Sequence, residues 1–404
     1  MGQADLGNLI REKSANLNKN INDTAIILAA GHGKRIKSNT SKMMHEIWGK
    51  STVQRVAEAV SKSFECNLVI VVGVKADQVV NAVSEKVTAQ FALQETQNGT
   101  GHAVQVALNE MSNEMKKGIA YVLPGDMGLI DSETMKEFKE AFLNSGNDMM
   151  VLTGLYEGKS EENYYGRILR VPEFDENGNS SGHNYGKVIE IMEFKDIKAL
   201  DSKLAYRTEY SGKTYAFTKK ELLENNEFNS GVFAFKFEFL TKLIFEINSN
   251  NVQGEIYLTD LIAIFNRNGL NVGAVSPTKQ YVLMGFNNKS VLWEMNEIAR
   301  KLVYEKIKDV VTIKDPGDFF IAEEVVEDFL NRDADGEILD IEIGRGAYLD
   351  NGVKVGSKIK LGKDVKLTGN ITIGNNCVIG DFTYISGNHI IADNSKIAPF
   401  TVMK

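Results

Sequence analysis

Every sixth residue from Ile343 to Ile397 is aliphatic: Ile343, Leu349, Val355, Leu361, Leu367, Ile373, Ile379, Ile385, Ile391 and Ile397, ten repeats without a slip in register. The next residue is small at most of these steps (Gly344, Gly356, Gly362, Gly374, Gly380, Ser386, Ala392, Ala398), and a second inward candidate stands two positions before, as at Ile341, Val353, Ile359, Val365, Ile371 and Cys377. A six-residue period of this kind means a parallel β-helix, in which three hexapeptides close one triangular coil and aliphatic side chains stack down its axis. The stretch is long enough for about three coils, close to the minimum for an independent solenoid. Trimerisation, or docking on the segment before it, is expected to help hold it.

The 404 residues exceed one ordinary core, and 43% apolar content can fill two. We expect a flexible tail over 1–20, a first domain over 21–290, a helical arm and linker over 291–336, broken at Pro316 and Gly317, and the β-helix over 337–404. A net charge of -8, with bases and acids interspersed, argues against a nucleic-acid partner. Cys66 and Cys377 are far apart and fit a reducing compartment. The five histidines are scattered and offer no zinc cluster. Residues 1–20 lack an apolar leader and no run of eighteen apolar residues occurs, so a cytoplasmic protein without a membrane partner is expected.

The first domain opens on an apolar, β-prone run, Ala25–Ala30, that stops at Gly31 and Gly33. Lys34, Arg35, Lys37 and Lys42 follow within nine positions of Gly33, so the bend can offer backbone amides and positive charge to one anion, with triphosphate the natural candidate. A buried turn with a solvated basic face would read similarly. The loop is neither a dinucleotide fingerprint, because Ile36 stands where the third glycine belongs, nor a Walker loop.

Beyond it, strand and helix patterns alternate: helix Thr52–Ser63, strand Leu68–Val72, helix Asp77–Val87, a polar turn Gln94–Gly101 leading into a helix, and strand Ala120–Leu123 ending at Pro124-Gly125-Asp126. This alternation predicts an α/β fold with a parallel, doubly wound sheet whose ligand lies beyond the carboxyl ends of the strands, where Gly31, Gly99 and Asp126 all fall. A carboxylate there is commonly a turn or cap residue. Beside a triphosphate loop, Asp126 would hold Mg²⁺. From 150 to 300 the pattern loosens into polar islands, with Pro172–Tyr185 read as a surface hairpin or insertion.

Taken together, Leu28-Ala-Ala-Gly-x-Gly-x-Arg35 with Lys42, Gln94-x-x-Gln-x-Gly-Thr-Gly-His-Ala103, Gly125-Asp126, Tyr165-Gly-Arg167, Glu193-x-Lys-Asp196, Asn229-x-Gly231, Gln253-Gly-Glu-x-Tyr-Leu-Thr-Asp260 and Gly285-x-Asn-Asn288 resemble the bacterial N-acetylglucosamine-1-phosphate uridylyltransferases over about residues 24 to 300. That resemblance implies a Rossmann-like nucleotide-diphospho-sugar transferase domain, a helical arm and a short left-handed parallel β-helix. It implies nucleotide contacts at Leu28, Ala29, Ala30, Gly31, Gly33, Gln94, Gln97, Gly99, Thr100 and Gly125, and sugar contacts at Gly166, Glu193 and Asn229. Mg²⁺ would sit on Asp126 and Asn287, with Arg35 and Lys42 as the catalytic cations. The implied substrates are UTP and N-acetylglucosamine-1-phosphate, and the implied assembly is a homotrimer through the β-helix. Another sugar-1-phosphate, or a weakly active nucleotide-sugar-binding scaffold, are the competing readings.

Several positions depart from that family. Ser41 precedes Lys42 where proline is usual, Pro124 replaces a tyrosine, His32 and Lys34 stand where other residues are usual, and the connection from Asp196 to Asn229 is long. The acetyltransferase that this family usually carries on its β-helix is not expected to be active, because the sequence runs only to Lys404.

Overall fold

The computed structural model describes residues 3–31 and 33–404. The chain divides into two compact units, the first comprising Met1–Glu46 and Lys50–Lys289 and the second Ile47–Gly49 and Ser290–Lys404.

In the first unit a central sheet is built from β1 (Thr24–Ala29), β2 (Asn67–Val72), β3 (Gln90–Leu93), β4 (Ile119–Pro124), β5 (Met149–Leu155), β6 (Arg167–Arg170), β7 (Val188–Met192), β8 (Glu227–Lys236) and β9 (Val272–Val275). Its main path runs β9-β5-β8-β4-β1-β2-β3. Strands β4, β1, β2 and β3 are mutually parallel, in keeping with sequences that are apolar after the polar first residues Thr24, Asn67 and Gln90 of β1, β2 and β3 and are largely buried. The parallel, doubly wound sheet that the alternation predicts is present over β4, β1, β2 and β3, and β8 departs from it, lying antiparallel between β4 and β5. An apolar run such as Val232–Phe235 carries no directional information, so only the fold reveals this.

Helices α1 (Gln3–Lys13), α2 (Thr52–Ser63), α3 (Ala76–Ser84), α4 (Thr100–Glu110) and α5 (Ser132–Ser145) belong to this unit. The α2 range coincides with the sequence reading. Within the span 1–20 expected as a flexible tail, the described residues form a helix instead: α1 places Ile10 in the core beside Val79, Val80 and Val83, with Leu6 and Leu9 packed against it. Three apolar residues at helical spacing suffice here because Asn67 also ties down the segment that follows, accepting from the Asn18 backbone N–H at 2.7 Å and donating to its carbonyl at 3.1 Å.

The long connection before β8 forms a hairpin, Tyr206–Tyr210 with Lys213–Phe217, turning through Ser211 and Gly212, both at positive φ. Together with Leu169, Val171, Ile189, Ile197 and Leu222, its Tyr215 makes a small satellite core. The stretch Pro172–Tyr185 holds itself together through Asp175, whose Oδ1 accepts from the backbone of Asn177 and Asn179.

The second unit contains helix α6 (Lys289–Ile307, from Ser290 on), helix α7 (Glu323–Ala334) and the coil. Coil strands pair in parallel with partners 18 residues apart, Ile341 with Ile359, Val353 with Ile371 and Ile385 with Met403. Three hexapeptides therefore make one turn, and the sixth-residue aliphatics from Ile343 to Ile391 are buried. The β-helix expected to begin at 337 begins earlier: Thr312–Ile313 pairs with Glu342–Ile343 and Phe320–Ile321 with Tyr348–Leu349, so α7 is an excursion within the coil. The hexapeptide rhythm is interrupted there, which hid these strands in the sequence. Trp48 joins this unit, its backbone N–H donating to Asn296 and its indole N–H to the Ile321 carbonyl at 2.8 Å. Among the described residues no helix is long and apolar enough to cross a membrane.

Candidate active site

Beyond the carboxyl ends of β1, β3 and β4 the first unit opens a cleft of about 590 Å³. Its rim begins at Leu28, Ala30 and Gly31, where β1 gives way to the glycine bend. Gly31 faces open space, so a Cβ there would only intrude on the cleft. Ala29 turns its methyl into the core and offers backbone alone. Gly33 does not line the cleft. At φ +58 it lets the stem of Lys42 lie against it, and a Cβ would meet the Lys42 Cβ at 2.7 Å.

Lys42 is thereby carried from the bend to two distant residues. Its Nζ donates to Asp126 Oδ2 at 2.5 Å and to Asn287 Oδ1 at 3.0 Å, and lies 5.3 Å from the centre of the Phe286 ring. Asp126 lines the cleft; Gly125 beneath it is fixed by donating to the Leu28 carbonyl. Gly285, the first residue of the Gly-Phe-Asn-Asn stretch, approaches so closely that a Cβ would come within 3.3 Å of Asp126 Oδ2. A carboxylate oxygen and an amide oxygen thus converge on one cation. Both are hard donors, a set that fits Mg²⁺ completed by substrate phosphate oxygens. Arg35 is exposed on a short turn, Lys34–Ile36, and stands outside the cleft lining.

Ser41 bears on how Lys42 is held. Its φ is -54°, within the range proline would impose, and its N–H donates to Gln78 Oε1 at 2.8 Å. A hydrogen bond from α3 therefore supplies what the ring supplies elsewhere. We predict that Gln78→Ala costs about 1 kcal/mol and raises nucleotide KM, and that Ser41→Pro added to it restores both, because proline needs no acceptor. Thermal melts and KM for the single and double variants test this; a double variant no better than the single one refutes it.

Beside the end of β1, Gln94, Gln97, Gly99 and Thr100 line the cleft, Gln97 close to Ala30 across Gly73. Gln94 Nε2 donates to the Gly99 carbonyl at 3.1 Å and faces His102 Nδ1 at 3.0 Å, which leaves Gln94 Oε1 as its free acceptor. Gln97 folds back to donate to the Gln94 carbonyl. This corner is zipped to the stretch before Tyr257: Gly101 N–H donates to the Ile256 carbonyl, Ile256 N–H to the Asn98 carbonyl, and Leu258 N–H to Thr100 Oγ1.

The third wall carries Glu193, Asn229 and Thr259. A bulge in β8 between Asn229 and Val232 re-aims Asn229, which accepts from the Gly231 N–H at 2.8 Å while donating its own N–H to the Gly166 carbonyl. Gly231, at φ +85, would press a Cβ to 2.8 Å from Pro124, so the Pro124 departure and the bulge are matched. Gly166 stands behind Glu193, its missing Cβ 3.1 Å from Oε1. Arg167 is fully buried and clamps this turn by donating to the Asn163 and Tyr165 carbonyls. Burial, with the charge of Asp196 added, pushes the Glu193 carboxyl up to about 7, and the same two causes raise Asp260 to about 6. Phe233, Leu258 and Met43 complete the apolar floor. Thr259 belonged to the Tyr257–Asp260 motif; Met43 and Phe233 carried no signal beyond their hydrophobicity.

The chain is similar to known proteins in both of its parts. The MobA-like NTP transferase domain matches residues 25–171, and the bacterial transferase hexapeptide, in six repeats, matches residues 370–404. The bifunctional protein GlmU of Thermoanaerobacter pseudethanolicus is 32% identical over 355 residues, 83% of this chain and 68% of that protein. GlmU of Clostridium tetani is 33% identical over 298 residues, 74% of this chain and 57% of that one. Among solved structures, UDP-glucose pyrophosphorylase complexed with UDP-glucose is similar at 16% identity and a TM-score of 0.47, covering 70% of this chain. The chain spans 57% of the length of GlmU from C. tetani and from Acetivibrio thermocellus. With a nucleotidyltransferase domain that opens on the glycine bend and a hexapeptide coil behind it, the chain belongs to the family of the bifunctional protein GlmU.

Proposed function

We propose that the chain transfers a uridylyl group from UTP to a sugar-1-phosphate, N-acetylglucosamine-1-phosphate foremost, releasing pyrophosphate. The observation that carries this reading is the meeting of Lys42, Asp126 and Asn287 at the mouth of a cleft walled by amides on one side and by Glu193 and Asn229 on the other. A phosphate oxygen of the sugar-1-phosphate attacks the α-phosphorus, and the bond from that phosphorus to the oxygen bridging to the β-phosphate breaks, so the leaving pyrophosphate takes the electron pair. The nucleophile is already anionic, so no protein base is needed. Catalysis then rests on alignment and charge neutralisation.

Gln94 Oε1 would accept the uracil N3–H, with Gln97, Gly99 and Thr100 framing the ring, while backbone amides of the glycine bend and Lys42 would meet the phosphates, and Arg35, exposed outside the cleft lining, would have to swing in to join them. Glu193, Asn229 and Thr259 would take the sugar hydroxyls and amide. Mg²⁺ held by Asp126 and Asn287 would supply Lewis-acid neutralisation of phosphate charge. Pyrophosphate release from a panel of nucleotides against N-acetylglucosamine-, glucose-, N-acetylgalactosamine- and glucosamine-1-phosphate tests the reading. Turnover with none of them, or without UTP, overturns it.

The raised Glu193 carboxyl adds a pH signature. The folded protein holds that proton more tightly than the unfolded chain, so this group lowers stability as pH rises from the ordinary carboxyl value of 4.5 to about 7, and the deficit persists above. Glu193→Gln should therefore gain melting temperature over the parent progressively across that window, while sugar-phosphate KM rises by about 10-fold. A difference in melting temperature that does not change between pH 5 and pH 8 would sink the prediction.

A further inference from the structure

The point at which Asp126 and Asn287 converge is taken by the protein's own ammonium. We propose that, without substrate, Lys42 stands in for the divalent cation, so that metal enters together with nucleotide and does not bind first; this rests on the nucleotidyltransferase reading above. Three observations carry it. Lys42 Nζ makes hydrogen bonds to both oxygens that a metal would use. Its side chain is only 10% exposed and that of Asp126 16%, so solvent does little to screen a second cation brought to the same place. The stem of Lys42 also lies against Gly33, within the bend that would receive the phosphates, so one side chain links that bend to Asp126 and Asn287. A triphosphate on the bend draws the ammonium away and delivers the compensating negative charge that allows a divalent ion beside Asp126.

Mn²⁺ binding to the full chain, followed through the electron paramagnetic resonance signal of free Mn²⁺ with and without UTP, separates the alternatives. Without UTP, Lys42→Met should bind Mn²⁺ at least about 10-fold more tightly than the parent protein, and Lys42→Arg, which keeps the charge, should bind as weakly as the parent. With UTP present the advantage of Lys42→Met should vanish. If Lys42→Met binds no more tightly than the parent in the absence of nucleotide, Asp126 serves metal and lysine at once and the inference fails. The underlying reading fails separately, if Asp126→Asn leaves Mn²⁺ binding in the presence of UTP unchanged.

Discussion

Asp126→Ala is expected to lower the rate of pyrophosphate release by 10³-fold or more at saturating UTP, sugar-phosphate and Mg²⁺. Two losses combine. Among the described residues the carboxylate is the one formal negative charge meeting Lys42 Nζ, and without it Asn287 offers only a neutral oxygen. Removing it also leaves a largely buried ammonium without its counter-charge, so Lys42 must find a new position. Removal of one charge-stabilising contact in phosphoryl or acyl transfer costs on the order of 10² to 10⁵ in rate, and this substitution disturbs two. Asp126→Asn, equal in volume, should retain fold and melting temperature more closely while losing most of the rate. Activity of Asp126→Ala within about 10-fold of the parent would mean that the site lies elsewhere.

Gly99→Ala should have the second largest effect, through geometry alone. Gly99 sits at φ +106 and ψ 175, a region essentially reserved for glycine, and an added methyl would lie 2.5 Å from the Ile256 carbonyl oxygen. That oxygen accepts from Gly101, so the zipper between the amide corner and the Ile256–Leu258 segment has to open. Backbone strain of roughly 1 to 3 kcal/mol is expected, with UTP KM raised about 10²-fold. Gly178→Ala provides the comparison: φ is +80 there, but nothing lies within 4 Å of the added methyl. It should lose some melting temperature and leave KM unchanged. Equal KM values for the two variants would refute a nucleotide role for this corner.

Local pattern made some features legible in the sequence and concealed others. The hexapeptide register and the apolar strands before Gly31 and Asp126 were readable because neighbours in sequence are neighbours in space. The 18-residue pairing follows directly from that register. The antiparallel course of β8, its bulge at Ser230 and Gly231, and the coil strands at Thr312 and Phe320 were hidden because each depends on a partner distant in the chain. The same applies within the cleft. Resemblance nominated Asp126 and Asn287 together as a metal pair and Lys42 as a catalytic cation, but that the Lys42 ammonium itself bonds to both, across sequence separations of 84 and 245 residues, is a property of the fold. Arg167 was read with a ligand-binding motif and proves to be the clamp for its own turn, since its guanidinium serves backbone carbonyls.

The place of Trp48 has a practical consequence for dissecting the molecule. No single cut isolates the second unit whole, because Ile47–Gly49 belongs to it while the rest begins at Ser290. A fragment started at 337, where the repeats become obvious, would lack the opening strands at Thr312 and Phe320; one started at 290 would still lack the indole that caps the Ile321 carbonyl and packs 4.9 Å from the Phe320 ring. Expression of either piece alone should yield a coil with a frayed first turn, and an intact one requires residues 47–49 to be supplied, by fusion or as a peptide.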